Sequence, residues 1–265
     1  MKLKSFFRPN AQSPQELEQC RKKSRELEGA VEAAENVIGK LIKRHYNNWP
    51  VPPLELRLHV GARDSMANFW LQGMNSSTRV MEIFGEQPTA PMLDWGCGSG
   101  RTLTWLQGYP GWKKTYHGCD VDAEAIQWLQ TSMRANVTLC GDLPPLPYAA
   151  ESFGGLFAFS VLTHIHPQRH RQWYAELHRV LMPGGRAYVT QHGASIAQHA
   201  DRPAIVTQQF DRQGWAWLEH AGHYKNASMV SESFTQQCLA GLFEVEDFKD
   251  CGYQNQDAYL LRRLG

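Results

Sequence analysis

The residues best suited to chemistry form the run Leu93-Asp94-Trp95-Gly96-Cys97-Gly98-Ser99-Gly100. Its alternate glycines remove Cβ atoms where a backbone must turn sharply and a ligand must come close. A dinucleotide fingerprint would need GxGxxG spacing. Counted from Gly96, the required third glycine is Arg101; counted from Gly98, it is Leu103. A nicotinamide dehydrogenase is therefore disfavoured. What stands is GxGxG with an acid, Asp94, two residues ahead of it. A further acid, Asp120, lies about twenty residues past the turn, the usual length of one strand–helix–strand unit. Three histidines, His164, His166 and His192, follow apolar runs that read as strands. Histidine titrates near neutral pH and can take or give a proton. The six cysteines, Cys20, Cys97, Cys119, Cys140, Cys238 and Cys251, make no CxxC or Cys/His zinc spacing, so no metal site is expected. Cys97 reads as a small filler rather than a nucleophile, since no base is adjacent in sequence.

These residues must be held by a scaffold, and 265 residues suffice for one α/β domain with a helical extension. Lys and Arg total 27 against 26 Asp and Glu, a formal net charge of +1. That balance supplies no broad field for a phosphate backbone or an anionic membrane, and it counts against nucleic acid as a partner. The first nine residues are basic but lack the apolar core of a signal peptide, and no apolar stretch is long enough to span a bilayer. The expectation is a soluble, reduced, cytoplasmic protein.

Residues 14–46 read as one long helix, with Ser13 as cap, Pro14 in the first turn and Glu16 three after the cap. Leu17, Cys20, Ser24, Leu27, Val31, Ala34, Ile38 and Leu41 follow a heptad seam, weakened by Ser24, Gly29 and Gly39. The seam suits packing on the same domain or a homodimer through this helix. Trp49-Pro50-Val51-Pro52-Pro53 then acts as a stiff connector. This predicts a helical extension over 1–53 and a main domain over 54–265, opening with a helical segment over 54–90 that has a helix near 62–84. From residue 91 strands alternate with helices. Strands are predicted at 91–95, 115–120, 137–140, 156–161 and 186–190, with helices near 100–108, 123–134 and 168–181, the last closed by Pro183-Gly184-Gly185. Such alternation argues for a parallel sheet covered on both faces. Residues 193–242 break the rhythm and are rich in Trp, His and Gln. Two late strands, 243–248 and 258–261, with a turn near Gly252, suggest an antiparallel pair at one edge.

The GxGxG turn resembles the first motif of the class I S-adenosylmethionine-dependent methyltransferases, and the resemblance continues in order along the chain. Tyr116-His117-Gly118-Cys119-Asp120-Val121-Asp122 looks like that family's second strand, Cys140-Gly141-Asp142-Leu143-Pro144-Pro145 like its third-strand loop, and Glu151 to Ile165 like its fourth strand. The segment Leu177 to Arg186 resembles the helix end before its fifth strand. The family often has Phe-Asp where Phe153-Gly154 stands, a departure that touches no cofactor contact. A narrower similarity, through Leu54–Gly61, Ser160–His164 and Gln256–Arg263, is to bacterial methyltransferases that tailor small molecules, glycans or natural products.

The resemblance implies a Rossmann-like fold with a seven-stranded, mostly parallel sheet and an antiparallel last strand. It implies S-adenosyl-L-methionine as cofactor, held by Asp94, Gly96, Cys97, Gly98, Asp120, Val121, Asp142, Leu143 and Ser160. Asp120 would take the ribose hydroxyls and Asp142 the adenine amino group. The segment 54–90 would cover the cofactor, with Arg57 or Arg63 meeting its carboxylate. The implied reaction is an in-line methyl transfer to an oxygen or nitrogen of a small-molecule or glycan acceptor, in which orientation alone contributes roughly 7–11 kcal/mol. A hydroxyl acceptor needs a base. His164 and His192, at the sheet end where the methyl should lie, are the candidates, although a histidine before Pro167 could instead cap a helix. His166, His223 and Tyr224 are the candidate acceptor contacts, with 193–242 as the acceptor-binding insertion. RNA or protein as acceptor, or a silent cofactor-binding module, are the alternatives.

Overall fold

The computed structural model describes residues 33, 37, 40, 50–60, 66–86, 88–107, 115–199, 202–219 and 226–265. The helix expected over 14–46, and any subunit contact through it, lies outside the described residues apart from Ala33, Val37 and Lys40, which are helical.

Two helices precede the sheet, α1 (Leu54–His59) and α2 (Met66–Phe84). The face of α2 carrying Phe69, Trp70, Gly73, Ser76, Ser77 and Val80 is buried, at the spacing of one helical stripe. Gly73 permits a close crossing: a Cβ there would stand 2.2 Å from the Arg101 carbonyl oxygen. Phe69, Trp70 and Trp105 meet edge to face, with centroids 6.0 and 5.7 Å apart.

The alternation then runs as expected through β1 (Met92–Trp95), α3 (Leu103–Gln107), β2 (Tyr116–Asp120), α4 (Ala123–Trp128), β3 (Val137–Leu139), β4 (Phe153–Ala158), α5 (His170–Val180) and β5 (Leu181–Gln191). After β5 come α6 (Ala194–Ala197), α7 (Ala204–Gln213), β6 (Trp215–Leu218), β7 (Ala227–Val230), α8 (Glu232–Leu239), β8 (Phe243–Tyr253) and β9 (Gln256–Arg263). The main sheet has seven strands in the order β3-β2-β1-β4-β5-β9-β8. The first five pair in parallel, and β9 runs antiparallel to both neighbours, which bears out the expected architecture. One large apolar cluster joins the sheet to Trp173, Tyr174, Leu177, Cys238 and Leu239; another joins it to Val80, Leu103, Leu106, Ile126 and Leu129. Strand order reverses between β1 and β4, so a crevice opens beyond their carboxyl ends.

Several boundaries differ from the sequence reading. β4 begins and ends three residues earlier than predicted, because Gly155, Leu156 and Phe157 pair with Met92, Leu93 and Asp94. Gly155 suits this position, since a Cβ would crowd Met92 and Phe84 at 2.7–2.9 Å. The residues after Ala158 leave the sheet, and Ser160 adopts φ +63°. The helix before β5 ends at Val180, before Pro183-Gly184-Gly185, because Leu181 already pairs with Phe153. β8 and β9 are longer than predicted and turn at Gln254-Asn255, both at positive φ, rather than at Gly252. The predicted strands also missed the small antiparallel sheet of β6 and β7. Each has only four residues, too short for a periodic signal.

Candidate functional site

The glycine turn closes directly on β1. Gly96 N and Cys97 N both donate to the Cys119 carbonyl, at 2.8 and 3.0 Å, which ties the turn to β2. Gly96 and Gly98 have φ of +77° and +52°, conformations that a side chain would strain. On the side where a Cβ would project, each glycine meets a valine, while both glycines still line the cavity. A Cβ at Gly96 would lie 2.3 Å from Val161 Cγ2, and one at Gly98 would lie 2.2 Å from Val60 Cγ1. The missing side chains make room for these two valines. Cys97 is buried, and burial pushes its thiol well above its usual range, in keeping with a filler.

Asp120 ends β2 with both carboxylate oxygens held by backbone amides. Gly98 N donates to Oδ2 at 2.6 Å and Asp122 N to Oδ1 at 2.9 Å. Burial raises the pKa of Asp120, while these amides pull it down. Each oxygen keeps a further lone pair, and the residue lines the cavity, so two vicinal hydroxyls could be accepted there. Asp94 is buried beside it. Burial first, and then the Asp120 charge, push its carboxyl well above the usual range; Arg101 opposes this.

Arg101 is the residue that sequence reading used only to reject a third glycine. Its Nη1 donates to the Val60 carbonyl at 2.8 Å and to Gln72 Oε1, which joins the turn to the segment above it. Burial lowers its pKa. Its other N–H groups have no partner among the described residues, and it lines the cavity. Arg57 does not line the cavity, and Arg63 lies outside the described residues. α1 is held over this end by His59 Nδ1 and Asp122 Oδ2, 2.8 Å apart.

A single cavity of about 870 Å³ runs from this end to a second wall. Asp94, Gly96, Cys97, Gly98, Asp120, Val121, Asp142 and Ser160 all line it, whereas Leu143 does not. His164, His166, Trp173, His192, Trp217 and Glu219 line the far part. His164 Nδ1 is 3.2 Å from the Asn226 carbonyl. A carbonyl only accepts, so Nδ1 carries the proton and Nε2 is the basic nitrogen. Burial lowers the pKa of His164; it lowers that of His192 to about 4, with the charges of Arg202 and His164 adding to the effect. His192 Nδ1 is buried without a hydrogen-bond partner. His166 accepts from Gln168 N at 3.3 Å and so caps the turn that starts at Pro167, as the sequence allowed. Its ring also sits 5.4 Å from Trp215 and 5.0 Å from Trp217, centroid to centroid. His223 and Tyr224 lie outside the described residues.

The arrangement fits a nucleoside with a charged tail: a carboxylate with spare lone pairs for hydroxyls, and a guanidinium with spare donors for an anion. Sequence reading missed Arg101, Gln72, Trp173 and Gln256 as lining residues. The signal available for Arg101 was a charged residue one place past the last glycine. The other three come from two helices and the start of β9, far from the motif in sequence.

Residues 93–189 match a family model described as a methyltransferase domain. A malonyl-[acyl-carrier protein] O-methyltransferase from Herminiimonas arsenicoxydans is 32% identical over 124 residues, 46% of this chain and 44% of that protein. Methyltransferase GfsG from Streptomyces halstedii is 29% identical over 148 residues, 54% of this chain and 48% of that protein. The chain thus spans less than half the length of these two relatives. Among solved structures, a SAM-dependent methyltransferase from Methanosarcina mazei is similar in fold, with a TM-score of 0.52 and 18% identity over 70% of this chain and 97% of that one.

Proposed function

We propose that this chain, whose residues 93–189 form a class I S-adenosylmethionine-dependent methyltransferase domain, moves a methyl group to an oxygen or nitrogen of a small-molecule or glycan acceptor. The observation that carries this reading is the continuous cavity, which joins Asp120 and the glycine turn to His164, His192 and Trp217. Its volume of about 870 Å³ falls within the range of small-molecule sites.

When bound, S-adenosylmethionine supplies a methyl group already activated on a sulfonium. Asp120 would hold the ribose hydroxyls, Arg101 the carboxylate in a bidentate pair, and Asp142 the adenine amino group. Asp94 would face the positive part of the cofactor, and that charge would favour its ionised form. The walls built by Val60 and Val161 exclude water beside the turn. His164 is neutral near pH 7, so its Nε2 can take the proton of an acceptor hydroxyl. His192, with a pKa of about 4, is the weaker base and serves as wall and orienting group. Among the described residues the far part carries one cation, Arg169, and one anion, Glu219, among aromatic rings, and this supports a small acceptor over a polymer phosphate backbone. The name of the Herminiimonas relative, an O-methyltransferase, supports an oxygen acceptor.

No helix among the described residues is long and apolar enough to cross a membrane. The free thiols of Cys97, Cys119, Cys140, Cys238 and Cys251 support the reducing cytoplasm as its place. The heptad seam of 14–46 supports a homodimer, which sedimentation of the full chain against one lacking residues 1–49 would test.

The cofactor claim is tested by calorimetry of the full chain with S-adenosylhomocysteine and with NAD. Binding of the first and not the second is expected; the reverse sinks the reading. Labelled S-adenosylmethionine incubated with the protein and a cell extract should give a new labelled small molecule distinct from the cofactor and absent without the protein, and label transferred only to RNA would overturn the acceptor class.

A further inference from the structure

We propose that Gln256 is a positioning residue for the methyl-transfer end of the cavity: it holds Ser160 in its left-handed backbone conformation and fixes the Ser160 hydroxyl as a hydrogen-bond donor into the cavity. The inference rests on the methyltransferase reading of that cavity.

Ser160 follows β4 at the switch point and has φ +63°. A non-glycine residue stays in that conformation only where its surroundings hold it. Here three residues from distant parts of the chain close a ring. Ser160 N donates to Thr190 Oγ1 at 2.8 Å. Thr190 is fully buried in β5, and its hydroxyl proton has one acceptor among the described residues, Gln256 Oε1 at 2.8 Å. That contact decides which way the amide of Gln256 faces. With Oε1 turned to Thr190, Nε2 faces Ser160 and donates to its Oγ at 2.6 Å. The Ser160 carbonyl is held in turn by the Thr163 hydroxyl.

An amide nitrogen can only donate. Ser160 Oγ therefore accepts from Gln256, and its own proton must point elsewhere. Ser160 and Gln256 both line the cavity, between the glycine turn and the histidine wall, and Gln256 is itself nearly buried. The ring thus presents a fixed O–H where the acceptor atom should arrive. An acceptor that brings a lone pair, such as a hydroxyl, carboxylate or neutral amine, is matched there. An ammonium group meets the wrong end of the dipole.

The test uses two probes that differ at this point. Sinefungin carries an ammonium group in place of the transferable methyl, and S-adenosylhomocysteine carries nothing there. Their affinities are measured by calorimetry for the wild type, Gln256→Glu, Ser160→Ala and the double variant. A carboxylate only accepts, so Gln256→Glu turns the Ser160 proton away and leaves lone pairs facing the cavity. The preference for sinefungin over S-adenosylhomocysteine should rise through the glutamate charge and by about a further fivefold, the size of one hydrogen bond, through the reversed hydroxyl. In the double variant only the charge remains, so the rise should be about fivefold smaller. A preference that does not move, or that rises equally without the Ser160 hydroxyl, overturns the proposal. Thr190→Val, of the same shape, is the second variant should the glutamate protein not fold. It frees the amide to turn, and an unchanged preference there also counts against the ring. If the wild type binds neither probe, it is the methyltransferase reading beneath the inference that fails.

Discussion

The two ends of the cavity are built by different means. The cofactor end uses backbone: amides of Gly98 and Asp122 hold Asp120, and amides of Gly96 and Cys97 hold the turn to β2. Its parts come from three strand ends within residues 94–142, and it rests on the two large clusters that flank the sheet. The proposed acceptor end uses side chains. It draws on residues 160–173, on His192, on β6 and on the β8–β9 turn. Much of it leans on a small separate cluster of Ala197, Val206, Phe210, Ala216 and Met229. A site made of backbone tolerates little change, whereas side chains on a small cluster can be exchanged while the sheet stays intact. The difference explains how one fold keeps a cofactor and changes its acceptor.

The sharpest way to break this contrast is Gly96→Val. The positive φ and the 2.3 Å approach of Val161 together predict a loss of roughly 4 kcal/mol, about a thousandfold, in S-adenosylhomocysteine affinity by calorimetry. Retained affinity would mean that the backbone is less constrained than its geometry implies. Next in size is acid. His170 is buried against the Ile165 carbonyl and Ser228 Oγ, and burial depresses its pKa from 6.5 to about 4. The folded state keeps it neutral while the unfolded chain takes a proton. Its contribution is therefore present above pH 6.5 and is lost as pH falls towards 4, about 3 kcal/mol in all. Hydrogen exchange should rise at residues 162–170 and 227–230 below pH 6 while β1 and β2 stay protected. Simultaneous loss at both ends would show that they are one cooperative unit.

A smaller effect is expected from Asp120→Asn, which keeps the shape and removes the charge. Losing a charge-assisted hydrogen bond of about 2 kcal/mol should weaken S-adenosylhomocysteine some thirtyfold, and the melting temperature should fall as well, because the asparagine NH2 cannot accept and one of the Gly98 and Asp122 amides loses its partner. An unchanged affinity would remove Asp120 from the ribose site. The smallest effect on this probe belongs to Trp217→Ala. The indole lies at the far wall, against His166 and Glu219, so affinity should stay within about twofold. A tenfold loss would show that the two ends are not separable.

Legibility in the sequence follows the same division. Asp94, Gly96, Gly98 and Asp120 could be read because one strand, its turn and the next strand place them at short range. Val121, just after β2, and Asp142, just after β3, follow the same logic, but Leu143, one residue on, does not line the cavity. The shift of β4 could not be read, since Phe153-Gly154-Gly155 looks like a turn until Met92 pairs with it. The strands β6 and β7 were hidden by their length.

By itself, then, the sequence determined the alternating fold, the glycine turn and the acids at the ends of β1 and β2, because each depends on residues close together in the chain. Only the tertiary structure decided what fills the space beside the glycines, that Arg101 rather than Arg57 faces the cavity, and that Gln256 meets Ser160 across 96 residues. Those contacts depend on strand order and register, and an antiparallel β9 beside β5 is what carries Gln256 to the end of β4.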